Sequence, residues 1–169
     1  MKKHELSGTL KERTMKERFE KWADEKGWKI IKSTDVFIND ELIVDKTNVH
    51  LAQWLEFISN YKDIVNGSED KCFIILENSN DSEWRQNDFE KMSLEASDGD
   101  DEWTAEIKSF WEKRFVIIMS VSGEYEYYAI NTETGEIEHE YGPEFEESEI
   151  VSPTFKDFVY GIVNEEIYI

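Results

Sequence analysis

Phe115-Val-Ile-Ile-Met119 followed by Ser120-Val-Ser-Gly123, Tyr125-Glu-Tyr-Tyr-Ala-Ile130, Asn131-Thr-Glu-Thr-Gly135 and Glu136-Ile-Glu-His-Glu-Tyr141 is the stretch that decides the fold. Its first segment is a continuous apolar run of strand length, as a buried strand requires. The next two are aromatic and alternating, with Asn131–Gly135 as the turn between them. A loop at Thr132 to Gly135 pairs Ile130 with Ile137 and Tyr128 with His139. That register puts Tyr128, Ile130, Ile137, His139 and Tyr141 on one face, and Tyr125, Tyr127, Glu136, Glu138 and Glu140 on the other. The second set mixes aromatics with acids. It reads either as a solvated sheet face or as a docking face for a basic partner, since Tyr is both a good strand former and a common interface anchor.

Working outward, helices flank this hairpin. Met15, Phe19, Trp22 and Ala23 recur at helical spacing, which predicts a helix over residues 9–26 with Gly27 as its stop. Residues 28–31 and 36–44 read as short strands, the latter with a turn at Asn39-Asp40. Leu51, Trp54, Leu55, Ile58 and Val65 form one stripe, predicting a second helix from Asn48 to the Asn66-Gly67 break. Residues 71–77 read as a buried strand and the polar stretch 78–99 as mostly loop. Trp103, Ile107, Phe110 and Trp111 predict a helix after the acidic run Asp98-Gly-Asp-Asp-Glu102, whose acids suit a first helical turn. A closing helix is expected with Ser152 as cap, Pro153 at the first position, and Phe155, Phe158, Val159 and Ile162 inward. Sequential strands between helices predict a single α+β domain over residues 1–169 with a largely antiparallel sheet.

Composition narrows the function classes. The chain has 169 residues and is 39% hydrophobic and 14% aromatic, too rich in both for a disordered acidic tail. Its net charge is -20. Residues 1–32 hold ten Lys or Arg against six Asp or Glu, net +4, so the first 27 residues form a basic N-terminal helix, while residues 33–169 carry -24. Such a body repels phosphate backbones and anionic lipid, so no nucleic acid and no membrane is expected as partner. The single Cys72 cannot form an internal disulfide, and no signal-peptide or membrane-length apolar run occurs, which together predict the cytoplasm.

The catalytic inventory is thin. His4, His50 and His139 are far apart, and nucleophile-elbow, zinc-protease, phosphate-loop and paired-cysteine motifs are missing. The crowded acids of 98–102 lack the alternation of a calcium loop and read as a solvated helix start. His139 groups with Ile137 and Tyr141 and reads as a satisfied, half-buried side chain. No enzyme activity, cofactor or metal is expected.

From the apolar strand at Phe115 through the aromatic hairpin to Ser152-Pro-Thr-Phe-Lys-Asp-Phe158, the chain resembles the SUKH superfamily, also called the SMI1/KNR4 family. The closing segment looks like that family's "Ser-Phe-x-x-Phe" final helix, and the resemblance is best over 115–163. The family's Leu-Pro-x-x-Tyr opening is missing, and Asn66-Gly67-Ser68 is the counterpart of its Asn-Gly-Gly. The resemblance implies an α+β fold and, for bacterial members, an immunity protein that neutralises a polymorphic secreted toxin, often a nuclease or deaminase; fungal relatives act as regulators of cell-wall synthesis and signalling, and the alternative for this chain is a non-catalytic cytosolic regulatory interaction module. It implies no catalytic residues. Joined to the acidic body, it predicts a basic protein partner, a cognate toxin, held by Tyr125, Tyr127, Glu136, Glu138, Glu140, Glu144, Glu146 and Glu147.

Overall fold

The computed structural model describes residues 5–33, 48–75, 85–120, 124–141 and 146–169, with side chains from Met15 onward. The first helix, α1 (Glu5–Glu25), buries Met15, Phe19, Trp22 and Ala23. It is stopped by Gly27 at φ +78, a left-handed conformation that costs glycine little. Strand β1 (Lys29–Lys32) follows, then α2 (Ala52–Ile58), β2 (Tyr61–Val65) and β3 (Lys71–Phe73). Next come α3 (Asp88–Ala96), α4 (Asp101–Trp111), β4 (Arg114–Ser120), β5 (Glu126–Asn131), β6 (Ile137–Tyr141), β7 (Glu149–Ser152) and α5 (Phe155–Val163). The seven strands lie side by side in chain order, each antiparallel to the next. The architecture is the expected α+β, and the central hairpin has the expected register, with Ile130 opposite Ile137 and Tyr128 opposite His139. Asn131 shapes the turn, accepting from Gly135 N at 2.8 Å on its carbonyl and from Glu133 N at 3.0 Å on Oδ1.

Helices cover both faces of the sheet. On one, α1, α2 and α5 enclose Phe19, Phe57, Phe73, Phe155 and Phe158 with Tyr128, Ile130 and Ile137. On the other, α3 and α4 bring Phe89, Ile107 and Trp111 onto Val116, Met119, Tyr127 and Ala129. Double coverage is why β4 is buried at six successive positions, Phe115 to Ser120, the first five of which are an unbroken apolar run.

Several boundaries differ from the sequence reading. The second helix ends at Ile58 rather than near Val65: Asn60 Nδ2 donates to the Glu56 and Phe57 carbonyls at 2.7 and 3.0 Å, and residues 61–65 then join the sheet as β2. Asn66-Gly67 is accordingly a strand turn, with Asn66 Oδ1 accepting from the amides of Asp70 and Lys71, each at 3.0 Å. The stretch read as loop contains α3, whose inner face is Phe89 and Ser93, followed by the buried Ser97 just beyond its end. Ser97 Oγ lies 2.8 Å from Thr104 Oγ1, joining that end to α4. The closing helix is capped by Thr154, whose Oγ1 accepts from Asp157 N at 3.1 Å, while Ser152 ends β7 and donates to the Thr154 carbonyl. Its inner stripe is the expected Phe155, Phe158, Val159 and Ile162. The expected strand over 36–44 and the end of the one over 71–77 lie outside the described residues.

Candidate functional site

The tyrosine-and-acid face of the hairpin divides into an interior part and a marginal part. Tyr127 is 1% exposed, its ring 5.1 Å from Trp111 and 5.6 Å from Phe89. Tyr125 is half-buried, edge-on to Phe89 at 6.1 Å. Glu138 is buried and meets Arg114 twice, at 3.0 Å from Nε and 3.2 Å from Nη2, and it also accepts from Ser148 Oγ at 2.9 Å. The same guanidinium donates to the Phe110 carbonyl at 2.9 Å and lies 3.7 Å over the Phe110 ring. Tyr127 and Glu138 are therefore interior groups, and the expectation that they present a surface to a partner is corrected. The α3–α4 layer covers them.

The other expected positions lie nearer the margin. Glu136 is half-buried and accepts from Thr134 Oγ1 at 3.1 Å inside the turn. Glu146 accepts from Trp111 Nε1 at 2.9 Å, which commits it to the fold. Glu140 is half-buried, Glu147 is exposed, and Glu144 lies outside the described residues. Burial pushes the Glu140 carboxyl above the ordinary range, and the charges of Glu147 and Glu149 push it further. Carboxylates that repel one another in this way favour a cation brought among them. From Phe115 to the end of the chain the only Lys or Arg is Lys156.

Three residues of this margin were not among those expected. Glu149 and Ile150 belong to β7, the strand at the sheet's edge, and Ile150 is 59% exposed. Tyr141, grouped by alternation with Tyr128, Ile130, Ile137 and His139, is 63% exposed at the end of β6. The four residues of β7 are too short a run for a periodicity to show, which is why the sequence reading passed over them. The surface is thus an acidic edge built by Glu140, Glu147 and Glu149 with Tyr141 and Ile150 as its apolar side chains.

On the opposite face His139 is a satisfied, half-buried side chain, as read from the sequence. Its Nε2 lies 2.8 Å from Glu126 Oε1, and its ring stacks on Tyr128 at 4.4 Å. Lys71 Nζ approaches the other Glu126 oxygen at 2.7 Å. The His139 hydrogen bond, with Lys71, holds the Glu126 carboxyl down at about 2 against the burial that opposes it. This triad joins β3, β5 and β6, whose sequence separation hid it.

Chemistry for catalysis is weak elsewhere. Burial pushes the Cys72 thiol up to about 12, which leaves it protonated and poorly nucleophilic. In the acidic run, Asp100 caps α4 by accepting from Trp103 N at 2.9 Å, and Asp101 and Glu102 sit in its first turn. Among the described residues no three His, Cys, Asp or Glu come together to hold a metal, and no helix is long and apolar enough to cross a membrane. Comparison with protein-family models, with curated proteins and with solved structures returns no match to this chain.

Proposed function

We propose that the protein is a non-catalytic binder that docks a basic protein through the acidic β6–β7 edge, and that this partner is a cognate toxin which the protein neutralises. The observation that carries it is the exposed set of Glu147, Glu149, Tyr141 and Ile150 beside the half-buried Glu140. A toxin that acts on nucleic acid must present a basic cleft, and an acidic edge competes for that cleft while steering association. The resemblance of residues 115–163 to SUKH proteins supports the immunity role.

Capture with the product of a neighbouring toxin gene, followed by stopped-flow association at varied salt, tests the proposal. The wild-type chain should bind with a rate that falls steeply with ionic strength. The triple variant E140K/E147K/E149K should associate about 10- to 100-fold more slowly at low salt. Association indifferent to both salt and the triple variant would overturn it, and a chain that binds only an endogenous host protein would point to a regulatory module instead.

A further inference from the structure

We infer that the basic partner engages this edge by adding an extended segment to β7 as an eighth antiparallel or parallel strand, a mode that rests on the docking reading above. Strand β7 closes the sheet, and among the described residues no strand pairs with its outer side. An outer edge presents backbone donors and acceptors that another extended chain can satisfy.

The side chains select which chain does so. Glu149 lies opposite His139 and Ile150 opposite Glu138, so these two neighbours point to opposite faces of the sheet. A guest strand beside them places successive residues against an acid on one face and an exposed isoleucine on the other. Cross-strand pairing then favours Lys or Arg next to Glu149 and a β-branched or aromatic residue next to Ile150. The occupant is therefore a segment that alternates basic and apolar residues.

A second copy of this chain fits poorly. Each copy carries -20, so two bodies repel. The Lys-Ile-Ile-Lys strand β1, at the opposite edge, has its lysines already paired, Lys29 with Glu69 at 2.5 Å and Lys32 with Glu20 at 2.9 Å. The β7 edge is also short and has a register shift opposite Ile137/Glu138, devices that discourage indiscriminate edge pairing. What remains compatible is a foreign basic strand that supplies both the ladder and the missing charge.

The test uses the full chain with two capped synthetic peptides of equal length, one alternating Lys with Val and one of Lys alone. Binding is followed by calorimetry and by amide hydrogen exchange. The alternating peptide should bind at least about tenfold more tightly than the all-Lys peptide. It should also slow exchange of amides within Glu149–Ser152 by at least about tenfold, and the variant Ile150→Glu, at a position 59% exposed, should abolish the preference. Equal binding of the two peptides, no binding of either, protection confined to other strands, or peptide-independent dimerisation that protects β7 would each overturn strand addition. The docking reading is judged separately. If the peptides fail while E140K/E147K/E149K still slows capture of the basic partner, only the strand-addition mode falls; if the triple variant captures at the wild-type rate, the docking reading falls as well.

Discussion

Arg114 at the start of β4 and Glu138 in β6 meet across the intervening strand β5, joined at 3.0 and 3.2 Å beneath the α4 helix. Both side chains are largely withdrawn from water, at 16% and 8% exposure. The only arginine of the β4–β7 half of the sheet is thus spent on neutralising an interior acid, while Glu147 and Glu149 beyond it are exposed.

Removing one partner of that pair should be far worse than removing both. Arg114→Met leaves a buried carboxylate with no countercharge and only the Ser148 hydroxyl as donor, and is expected to cost about 3–5 kcal/mol, with most of it recovered in the double variant R114M/E138L. Urea unfolding of the two variants measures this. A single variant that loses less than about 1 kcal/mol would show that Glu138 finds water or another donor.

Phe89→Ala examines the second helical layer. Phe89 is fully buried on α3, so the truncation should cost about 3–5 kcal/mol, as should Phe158→Ala on the opposite face. Trp103→Ala, at a position 43% exposed, should stay within about 0.5 kcal/mol although it shares the same helical stripe as Ile107 and Trp111. Were Phe89→Ala as mild as Trp103→Ala, the α3 layer would not be packed on the sheet.

The Glu126 triad predicts a specific acid response. Its folded carboxyl titrates at about 2 against an ordinary 4.5, a depressed value, so its contribution is present above pH 4.5 and is lost as the pH falls from 4.5 toward 2. Glu126→Gln should therefore lower the melting temperature at neutral pH, with the gap to wild type closing across that window. A gap that persists unchanged at acid pH would assign the effect to packing rather than charge.

Glu140 predicts the opposite sign. Its carboxyl is raised by burial and by the acids beside it, so the ionised form opposes folding at neutral pH and protonation relieves that cost. Glu140→Gln is expected to leave stability unchanged or to raise it by up to about 1 kcal/mol, while slowing capture of a basic partner. Thermal melts at neutral pH, run beside the association assay, check both halves; a clear loss of stability would give Glu140 a structural role.

Much of the fold was readable because its signals are local. The hairpin register follows from the turn length between Ile130 and Glu136 and from two alternating strands, and it is reproduced residue for residue. The inner stripes of α1 and α5 follow from helical spacing. The errors fall where a local signal is silent or shared. Val65 continues the spacing of Leu51, Trp54 and Ile58, yet Asn60 ends the helix by taking its last carbonyls. The helix α3 was missed because Ser93 and its neighbour beyond the helix end, Ser97, occupy buried positions that a hydrophobicity count scores as polar.

For the binding surface the division is sharper. The α+β class, the pairing of β5 with β6, the sorting of their side chains into two sets and the concentration of negative charge in the body all follow from local pattern and composition. It could not determine which set meets solvent, because a period of two is identical whether a face is bare or covered. The packing of the helices on the sheet settles it. By laying α3 and α4 over the hairpin it took Tyr127 and Glu138 inside, where Tyr127 packs in an aromatic cluster and Glu138 pairs with Arg114. Among the described residues the sheet ends at β7, which leaves Tyr141, Glu147, Glu149 and Ile150 exposed and Glu140 half-buried at its margin.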